Sequence, residues 1–356
     1  MTHRYAVTDL ITFATEMLSA AGLDRDKAGV VAATLVEGDL LGHDTHGLQL
    51  LGPYLTQLHA GLMAGTGEPE VVADRGGCVT WNGRRLPGAW LVHRALDLAV
   101  GRAPRLGVVT VVIRHSHHIG CLGAYLRRAT DENLAVLLMS SEPSSQCVAP
   151  FGGTRPVYTT DPIAVGWPID NGPVLLDISS SITTRGLARR RCRLGDKLPG
   201  KWVMDHRGDP TDDPHVVFGN PPGTLLPVGG VDHGHKGFAL ALMVEMLTSA
   251  LAGSGRADSP AAWSTSVFLQ VLDPEAFGGR DAFLREAGAL ADACRSTPVA
   301  PWFEEAGDDR VRLPGEAALA HRAKALADGL ELFPTILADV EDSAAGFGIP
   351  LPIPIT

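Results

Sequence analysis

Several histidines lie in short clusters beside glycine, where an imidazole could transfer a proton during catalysis. One cluster is Gly42-His-Asp-Thr-His-Gly47, which places an acid, a hydroxyl and an imidazole together at Asp44, Thr45 and His46. A carboxylate or hydroxyl can orient an imidazole for proton transfer, and an adjacent glycine lets a substrate approach the backbone. The spacing makes His46 a candidate acid or base, and the alternative is a surface or hydrogen-bonded core histidine.

Two further histidine clusters occur later in the chain. Arg114-His-Ser-His-His118 follows a β-branched run, and Asp232-His-Gly-His-Lys236 precedes an apolar stretch with helical spacing. Loops at strand ends are where α/β proteins place ligands. Lys236 at a helix N-terminus is locally unfavourable unless an anion such as a phosphate binds there, and a solvated lysine is the alternative.

Metal ligands and a basic segment give weaker indications. No two histidines have the H-E-x-x-H spacing, no cluster has a cysteine partner, and glycines beside His43 and His46 favour a turn, so we predict no metal site. The segment 185–201 carries seven basic residues opposed by Asp196 alone. Such a run is usually a solvated face, and the functional alternative is an anion site, for example for the extra phosphate of NADP.

The usual phosphate-binding motifs are missing from the sequence. No G-x-G-x-x-G follows a strand and opens a helix, and G-x-x-x-x-G-K-[ST] does not occur. The ordinary Rossmann and P-loop sites are therefore excluded.

Alternating strands and helices are predicted to position these clusters. Residues 8–60 are predicted to be helical, with Asp24 as an N-cap, and 237–252 to form a helix that ends at Gly253. Residues 259–330 are predicted to be mostly helical. Further helices are predicted at 90–100 and 121–130, and strands at 79–81, 108–113, 135–139, 163–165 and 174–178. This alternation indicates an α/β fold.

Length, charge and cysteine usage limit the class of protein. The 356 residues suggest two or three domains, and 45% hydrophobic residues suffice for a core. A net charge of -10 argues against nucleic acid as a partner. The longest apolar run, 238–244, is too short to span a membrane, and the N-terminus lacks signal-peptide features. Five widely spaced cysteines favour free thiols in a reducing cytoplasm.

Taken in order, the motifs resemble those of the type-2 malate/L-lactate dehydrogenase family over roughly residues 8–350. This family includes ureidoglycolate and sulfolactate dehydrogenases, diketogulonate reductase and the piperideine/pyrroline-carboxylate reductases. Gly42-His-Asp-Thr-His-Gly47 is similar to the family's G-x-D-S-H-G, and His115-Ser-His-His-Ile-Gly120 to S-N-H-F-G. The other similar segments are Val148-Ala-Pro-Phe-Gly-Gly153 (A-P-W-G-G), Thr159-Thr-Asp-Pro162 (G-T-N-P), Leu176-Asp-Ile-Ser-Ser-Ser181 (D-M-A-T-S), His235-Lys-Gly237 and Pro314-Gly-Glu316.

The resemblance implies an NAD(P)-binding α/β fold that is not of the Rossmann type. It implies a helical domain built from both chain ends (1–65 and 318–356), a central dimerisation domain (66–118 and 256–317) and an NAD(P)-binding domain (119–255). It also implies a cytoplasmic homodimer. The implied reaction is hydride transfer between NAD(P)H and the C=O or C=N carbon of a small 2-oxo acid or cyclic imine.

The resemblance also assigns the site residues. His46 is the implied proton donor in reduction, with Thr45 beside it, and His118 lies near the nicotinamide and binds substrate or takes part in proton transfer. An imidazole with a pKa near 6.5 suits proton donation at neutral pH. The implied cofactor residues are His118, Thr160, Asp177, Ser179, Ser181, His235, Lys236, Gly315 and Glu316.

Three departures from the family pattern affect the expected substrate and cofactor. Leu50 replaces an arginine that would bind a substrate carboxylate, so we expect a non-standard and less anionic substrate, such as an imine. Asp161 and Thr159 replace the family's asparagine and glycine near the cofactor. The arginine run slightly favours NADPH. Two alternatives stay open: a metal-dependent hydrolase that uses the loop histidines, and an inactive relative that only binds a ligand.

Overall fold

The computed structural model describes residues 3–260, 262–304 and 310–355. In chain order the strands are β1 (Arg4–Tyr5), β2 (Glu70–Asp74), β3 (Cys78–Asn82), β4 (Val108–Ser116), β5 (Ala135–Ser141), β6 (Ile163–Trp167), β7 (Val174–Ile178), β8 (Val203–Met204), β9 (Pro210–Thr211), β10 (Thr224–Leu225), β11 (Thr265–Leu272) and β12 (Leu330–Glu331). The helices are α1 (Val7–Ala20), α2 (Arg25–Leu40), α3 (Leu51–His59), α4 (Gly88–Leu106), α5 (Gly123–Thr130), α6 (Arg185–Leu194), α7 (Gly230–His233), α8 (His235–Glu245), α9 (Arg280–Arg295), α10 (Pro301–Glu304), α11 (Glu316–Asp328), α12 (Thr335–Ala338) and α13 (Glu341–Phe347).

The main sheet pairs its strands in the order β2-β3-β4-β11-β5-β6-β7. Helix α4 connects the parallel neighbours β3 and β4, and the other neighbouring pairs of this sheet are antiparallel. Val109, Val111 and Leu269 are fully buried, as expected for strands covered on both faces. The predicted α/β class is confirmed, with a mixed sheet that differs from the parallel Rossmann sheet.

One prediction is wrong at the centre of this sheet. Residues 265–272 were expected to lie in a mostly helical region, and they form β11 between β4 and β5. A short, largely apolar segment that is buried on both faces has a similar pattern in a strand and in a helix, so the periodicity of this segment could not distinguish them. The later helices α9 and α11 agree with the prediction.

The two chain ends pack together around α2. Arg4 pairs with Glu331 across β1 and β12, and His321 Nδ1 lies 2.8 Å from the carbonyl oxygen of Leu40. An ion pair of 2.7 Å also joins Arg322 to Glu37. The end of α2 is thereby fixed, which matters because the first histidine cluster follows directly. The division into three domains stays a prediction.

The basic segment and the segment before α8 also differ from the predictions. Residues 185–194, where no helix was predicted, form α6. The Thr184 hydroxyl caps its first turn by accepting the Leu187 N–H at 3.2 Å. The predicted helix 237–252 is divided: α8 ends at Glu245, and a π-helical turn follows at 246–250. Met243 and Leu251, two apolar residues of this stretch, are exposed. Among the helices of the described residues, none is long and apolar enough to cross a membrane.

Candidate active site

The loop that carries His46 is fixed by the buried carboxyl group of Asp39. Asp39, near the end of α2, accepts the backbone N–H of Leu48 at 2.7 Å. A Cβ atom at Gly47 would collide with this carboxyl group, so only glycine allows the loop to lie so close. Burial is the main cause that raises the pKa of Asp39 to about 8. The carboxyl is therefore mostly protonated at neutral pH and fixes the loop mainly as a neutral group.

Arg190 of α6 also fixes the His46 loop, through two side chains of that loop. The guanidinium donates to Asp44 at 2.6 Å and to the side-chain oxygen of Gln49 at 3.1 Å. It also lies 4.5 Å from the ring centre of Phe333. The arginine run was expected to be either solvated or phosphate-binding, and neither role describes Arg190, which contacts residues on both sides of His46.

His46 has the surroundings of a group that exchanges protons. The Thr45 hydroxyl lies 3.0 Å from His46 Nδ1 and orients the ring. Desolvation lowers the pKa of His46, and the nearby carboxylate of Asp177 opposes that shift by favouring the charged ring. The imidazole is thus neutral at rest but close to a carboxylate that stabilises its protonated form.

His118 lies beside His46 in a different environment. The two rings are nearly parallel, with centres 5.9 Å apart. Nδ1 of His118 accepts the Gly120 N–H at 3.2 Å and lies 3.0 Å from the Tyr54 hydroxyl. Because Nδ1 accepts a bond, the proton of the neutral ring is on Nε2. Burial, followed by the neighbouring histidines, lowers the pKa of His118 to about 3, so the ring is a neutral donor at ordinary pH.

His117 does not share this role. It is fully buried, its ring lies edge-on to Tyr54 at 5.4 Å and to Trp263 at 4.8 Å, and within the described residues neither of its nitrogens has a hydrogen-bond partner. Burial lowers its pKa to about 3. Of the cluster 115–118, only His118 therefore faces His46.

Asp177 connects this histidine pair to the segments expected to bind a cofactor. Its side chain lies near the end of β7 and accepts the N–H of Gly123, the first residue of α5, at 2.7 Å. The Cys121 thiol lies 3.5 Å from the same oxygen. A carboxylate is favoured at a helix N-terminus, so α5 fixes Asp177 next to His46.

Thr160, which precedes β6, lies beside the loop after β7 that carries Ser179 and Ser181. The carbonyl oxygen of Thr160 accepts both the N–H and the hydroxyl of Ser180 at 2.8 Å. The hydroxyls of Ser179 and Ser181 donate to backbone carbonyls at 2.8 and 2.7 Å. These hydroxyl groups hold the loop in place, and direct contact with a cofactor stays a prediction.

Asp161, which replaces the family's asparagine, is fully buried. It accepts the Thr159 hydroxyl at 2.6 Å, and burial, with a smaller effect from Glu245, raises its pKa to about 7. The two departures, Thr159 and Asp161, thus interact with each other.

His235 and Lys236 lie in the first turn of α8 and are exposed. A Cβ atom at Gly237 would collide with the backbone of Ser180 and Val228, which places this turn directly against the serine loop. The His235 ring lies 5.7 Å from Phe151, which lines a groove of about 250 Å³ together with Gly152, Gly230 and Val231. An exposed cation beside a glycine-lined groove fits the phosphate groups of a dinucleotide.

Gly315 and Glu316 lie next to β7, where Gly315 packs against Leu175. The Leu175 N–H donates to the carbonyl oxygen of Pro314 at 3.1 Å, two residues from Asp177. The Glu316 carboxylate accepts from Arg295 at 2.6 Å and from the Leu313 N–H at 3.0 Å. In this arrangement Glu316 stabilises its own loop, and its contact with a cofactor stays a prediction.

Sequence reasoning missed four contributors to this site: Asp39, Tyr54, Cys121 and Arg190. Tyr54 lies in the segment 8–60, which was predicted only to be helical, and Cys121 is one of the five cysteines that were interpreted as free thiols. Only Asp39 had a local signal, because an acidic residue inside an apolar helix directly before the histidine loop calls for a partner. The other three reach the site through tertiary contacts.

Comparison with known proteins is consistent with this arrangement. The sequence profile of the malate/L-lactate dehydrogenase family matches residues 5–341. The chain is 32% identical to an L-lactate dehydrogenase of Cupriavidus necator, over 98% of this chain and 99% of the relative. It is 33% identical to a (2R)-3-sulfolactate dehydrogenase (NADP(+)) of Chromohalobacter salexigens, over 88% and 90% of the two chains. A crystal structure of malate dehydrogenase from Entamoeba histolytica superposes with a TM-score of 0.91 at 25% identity and covers 99% of this chain and 100% of that chain.

Proposed function

The chain belongs to the malate/L-lactate dehydrogenase family and is an NAD(P)-dependent dehydrogenase, and from this premise we propose that it interconverts a small 2-oxo acid and its 2-hydroxy acid. The observation that carries the proposal is the pair of stacked imidazoles, His46 and His118, beside the Asp177 carboxylate. When bound, the nicotinamide cofactor supplies or accepts the hydride.

In this proposal His46 transfers the proton. With Thr45 on Nδ1, the Nε2 atom is left for the substrate oxygen. In reduction the protonated ring gives its proton to the developing alkoxide, and in oxidation the neutral ring removes it from the hydroxyl. Desolvation is the larger effect and favours release of the proton, and Asp177 opposes it by favouring the protonated ring.

His118 acts as a neutral hydrogen-bond donor to the substrate. Its proton on Nε2 and its strongly lowered pKa suit it to orienting the carbonyl and not to changing charge. Tyr54 holds the ring through Nδ1. The two histidines therefore divide the work of binding and proton transfer.

The cofactor is proposed to lie along the serine loop and the first turn of α8. Lys236 and His235 would contact phosphate or ribose groups, and Thr160, Ser179, Ser181, Gly315 and Glu316 would line the site. The preference for NADPH has limited support, because much of the basic run has acidic partners: Arg190 with Asp44, Arg191 with Asp196, Arg193 with Asp339 and Lys197 with Asp212.

Leu50 supports a second candidate class of substrate. Its side chain packs against the main core, so it offers no charge to a carboxylate. A cyclic imine that does not depend on a charged contact to a carboxylate is therefore the alternative to a 2-oxo acid. A homodimer is also proposed, on the family resemblance alone, and sedimentation analysis would test it.

A cofactor-oxidation screen tests the proposed function. NADH and NADPH are combined with a panel of 2-oxo acids and cyclic imines, and the His46→Ala variant serves as the control. We expect turnover with at least one 2-oxo acid and a loss of about 10²–10⁴-fold in the variant. Turnover of imines alone would select the second class. Binding of cofactor without turnover of any substrate would favour the alternative of an inactive relative that only binds a ligand. The other alternative, a metal-dependent hydrolase, is opposed by the family membership of the chain.

A further inference from the structure

Three side chains with metal-binding atoms meet beside the active site, and the proposed function uses only one of them. His43 comes from the loop after α2, Cys121 precedes α5, and Asp177 lies near the end of β7. Their ligand atoms all lie within 4.8 Å of one another. Cys121 lies 78 positions after His43 in the sequence, and the fold brings the two side chains together.

The donor set and its spacing suit a thiophilic divalent ion. Zinc binds thiolate sulfur at about 2.3 Å and imidazole nitrogen or carboxylate oxygen at about 2.0–2.2 Å, so tetrahedral ligand atoms lie about 3.3–3.8 Å apart. The Cys121 Sγ to Asp177 Oδ2 distance of 3.5 Å is already in that range. The ligand atom of the half-buried His43 lies within 4.8 Å of the other two, so it must approach by no more than about 1.5 Å, which a side-chain rotation can supply.

We propose that His43, Cys121 and Asp177 form a binding site for Zn²⁺ with a fourth position open to water. The thiol proton is released to solvent on binding, and sulfur, nitrogen and oxygen become the protein ligands. Three protein ligands with an open position are typical of a zinc that can exchange its fourth ligand. The site lies outside the roles proposed for His46 and His118.

Zinc at this site inhibits the dehydrogenase, a consequence that rests on the proposed function. The ion takes up the Asp177 carboxylate, which otherwise accepts the Gly123 N–H and lies next to His46. It also fixes His43, three residues before His46, in a new position. The expected effect is therefore reversible loss of turnover, restored by a chelator.

Metal binding is tested without any measurement of activity. Cd²⁺ is titrated into the protein carrying Cys78→Ser, because Cys78 is an exposed thiol, and thiolate-to-metal absorption in the ultraviolet is recorded. We expect saturation at one equivalent, loss of the band in Cys121→Ser and at least tenfold weaker binding in His43→Gln. Cys147→Ser is the matched control, since it removes a buried thiol from a different cluster and is expected to keep the band.

Inhibition is tested separately with ZnCl₂. Zinc is expected to inhibit the parent protein at least tenfold more strongly than either Cys121→Ser or His43→Gln. Absence of the Cd²⁺ band, or an unchanged band in Cys121→Ser, would overturn the metal site. Should the protein turn over no substrate, the proposed function fails while the Cd²⁺ titration still decides the metal site.

Discussion

The His46 loop and the His118 segment place two similar side chains side by side by opposite means. The His46 loop is fixed by polar groups: Asp39 holds its backbone, and Arg190 holds Asp44. The His118 segment is fixed largely by aromatic packing, with Tyr54 and Trp263 around it. Burial lowers the pKa of both imidazoles, but the Asp177 carboxylate opposes that shift only at His46, whereas the surroundings of His118 keep its ring neutral.

The largest expected effects come from replacing each imidazole by an amide, which tests whether His46 and His118 have different roles. His46→Gln is expected to lower kcat by about 10²–10⁴-fold, because the proton donor is lost. His118→Gln keeps a neutral donor and is expected to act mainly on KM. Steady-state kinetics with the substrate found in the screen measures both.

The pH profile separates the two histidines further. Because the pKa of His118 is about 3, the ring does not change charge between pH 5 and 9. Any titration of kcat in that range that belongs to this pair should therefore persist in His118→Gln and disappear in His46→Gln. Equal loss of the titration in both variants would show that the two rings act as one unit.

The second test removes the polar support of the His46 loop. Asp39→Leu deletes the acceptor of the Leu48 N–H and is expected to lower kcat about 10–100-fold, because small errors in position are costly in catalysis. Asp39→Asn keeps an acceptor of the same shape and should retain most of the activity.

Asp39 also makes stability depend on pH. Its pKa is about 8 in the folded protein and about 3.9 when unfolded. Between these values the unfolded chain loses a proton that the folded protein keeps, so ionisation favours unfolding as pH rises. Asp39→Asn removes this loss, and its advantage in free energy of unfolding should grow from pH 4 to pH 8, by up to about 5 kcal/mol for these two pKa values. Denaturant unfolding at several pH values measures it, and a constant difference would contradict the assigned pKa.

The third test removes one polar contact from the aromatic side of the comparison. Tyr54→Phe loses the hydroxyl that lies 3.0 Å from His118 Nδ1 but keeps the ring. Since packing is unchanged, kcat/KM should fall only about 3–10-fold, with a loss of stability of about 1 kcal/mol. A loss as large as that of His46→Gln would mean that the orientation of His118 depends on this bond and not on packing.

The elements of this fold were predictable where their patterns were local. β4, β5 and α4 have β-branched runs or clear helical spacing, and the sequence predicts each of them. β11 was mistaken for helix because a buried strand and a buried helix share an apolar pattern. α6 was missed because five of its ten residues are arginine, which drew attention to charge and not to helical spacing.

The site was predictable in its histidines but not in their supports. The glycine-flanked motif marks His46, and the resemblance marks His118 and Asp177. Arg190 lies more than 140 positions from Asp44, so no spacing rule connects the two residues. The partners of a catalytic loop depend on how distant helices pack, which a local pattern does not encode.

The smallest expected effect on kcat/KM comes from a substitution of Arg190, the distant partner of Asp44. Arg190→Lys keeps a positive charge for Asp44 but cannot reach Asp44 and Gln49 together as the forked guanidinium does. Because Asp44 is nearly half exposed, the ion pair itself contributes only about 0.5–1 kcal/mol, and kcat/KM should fall about 2–5-fold. Arg193→Lys is the matched control, since Arg193 lies on the same helix and pairs with Asp339 instead. If both variants lose activity equally, α6 supports the site as a whole, and the polar fixing of the His46 loop does not depend on Arg190.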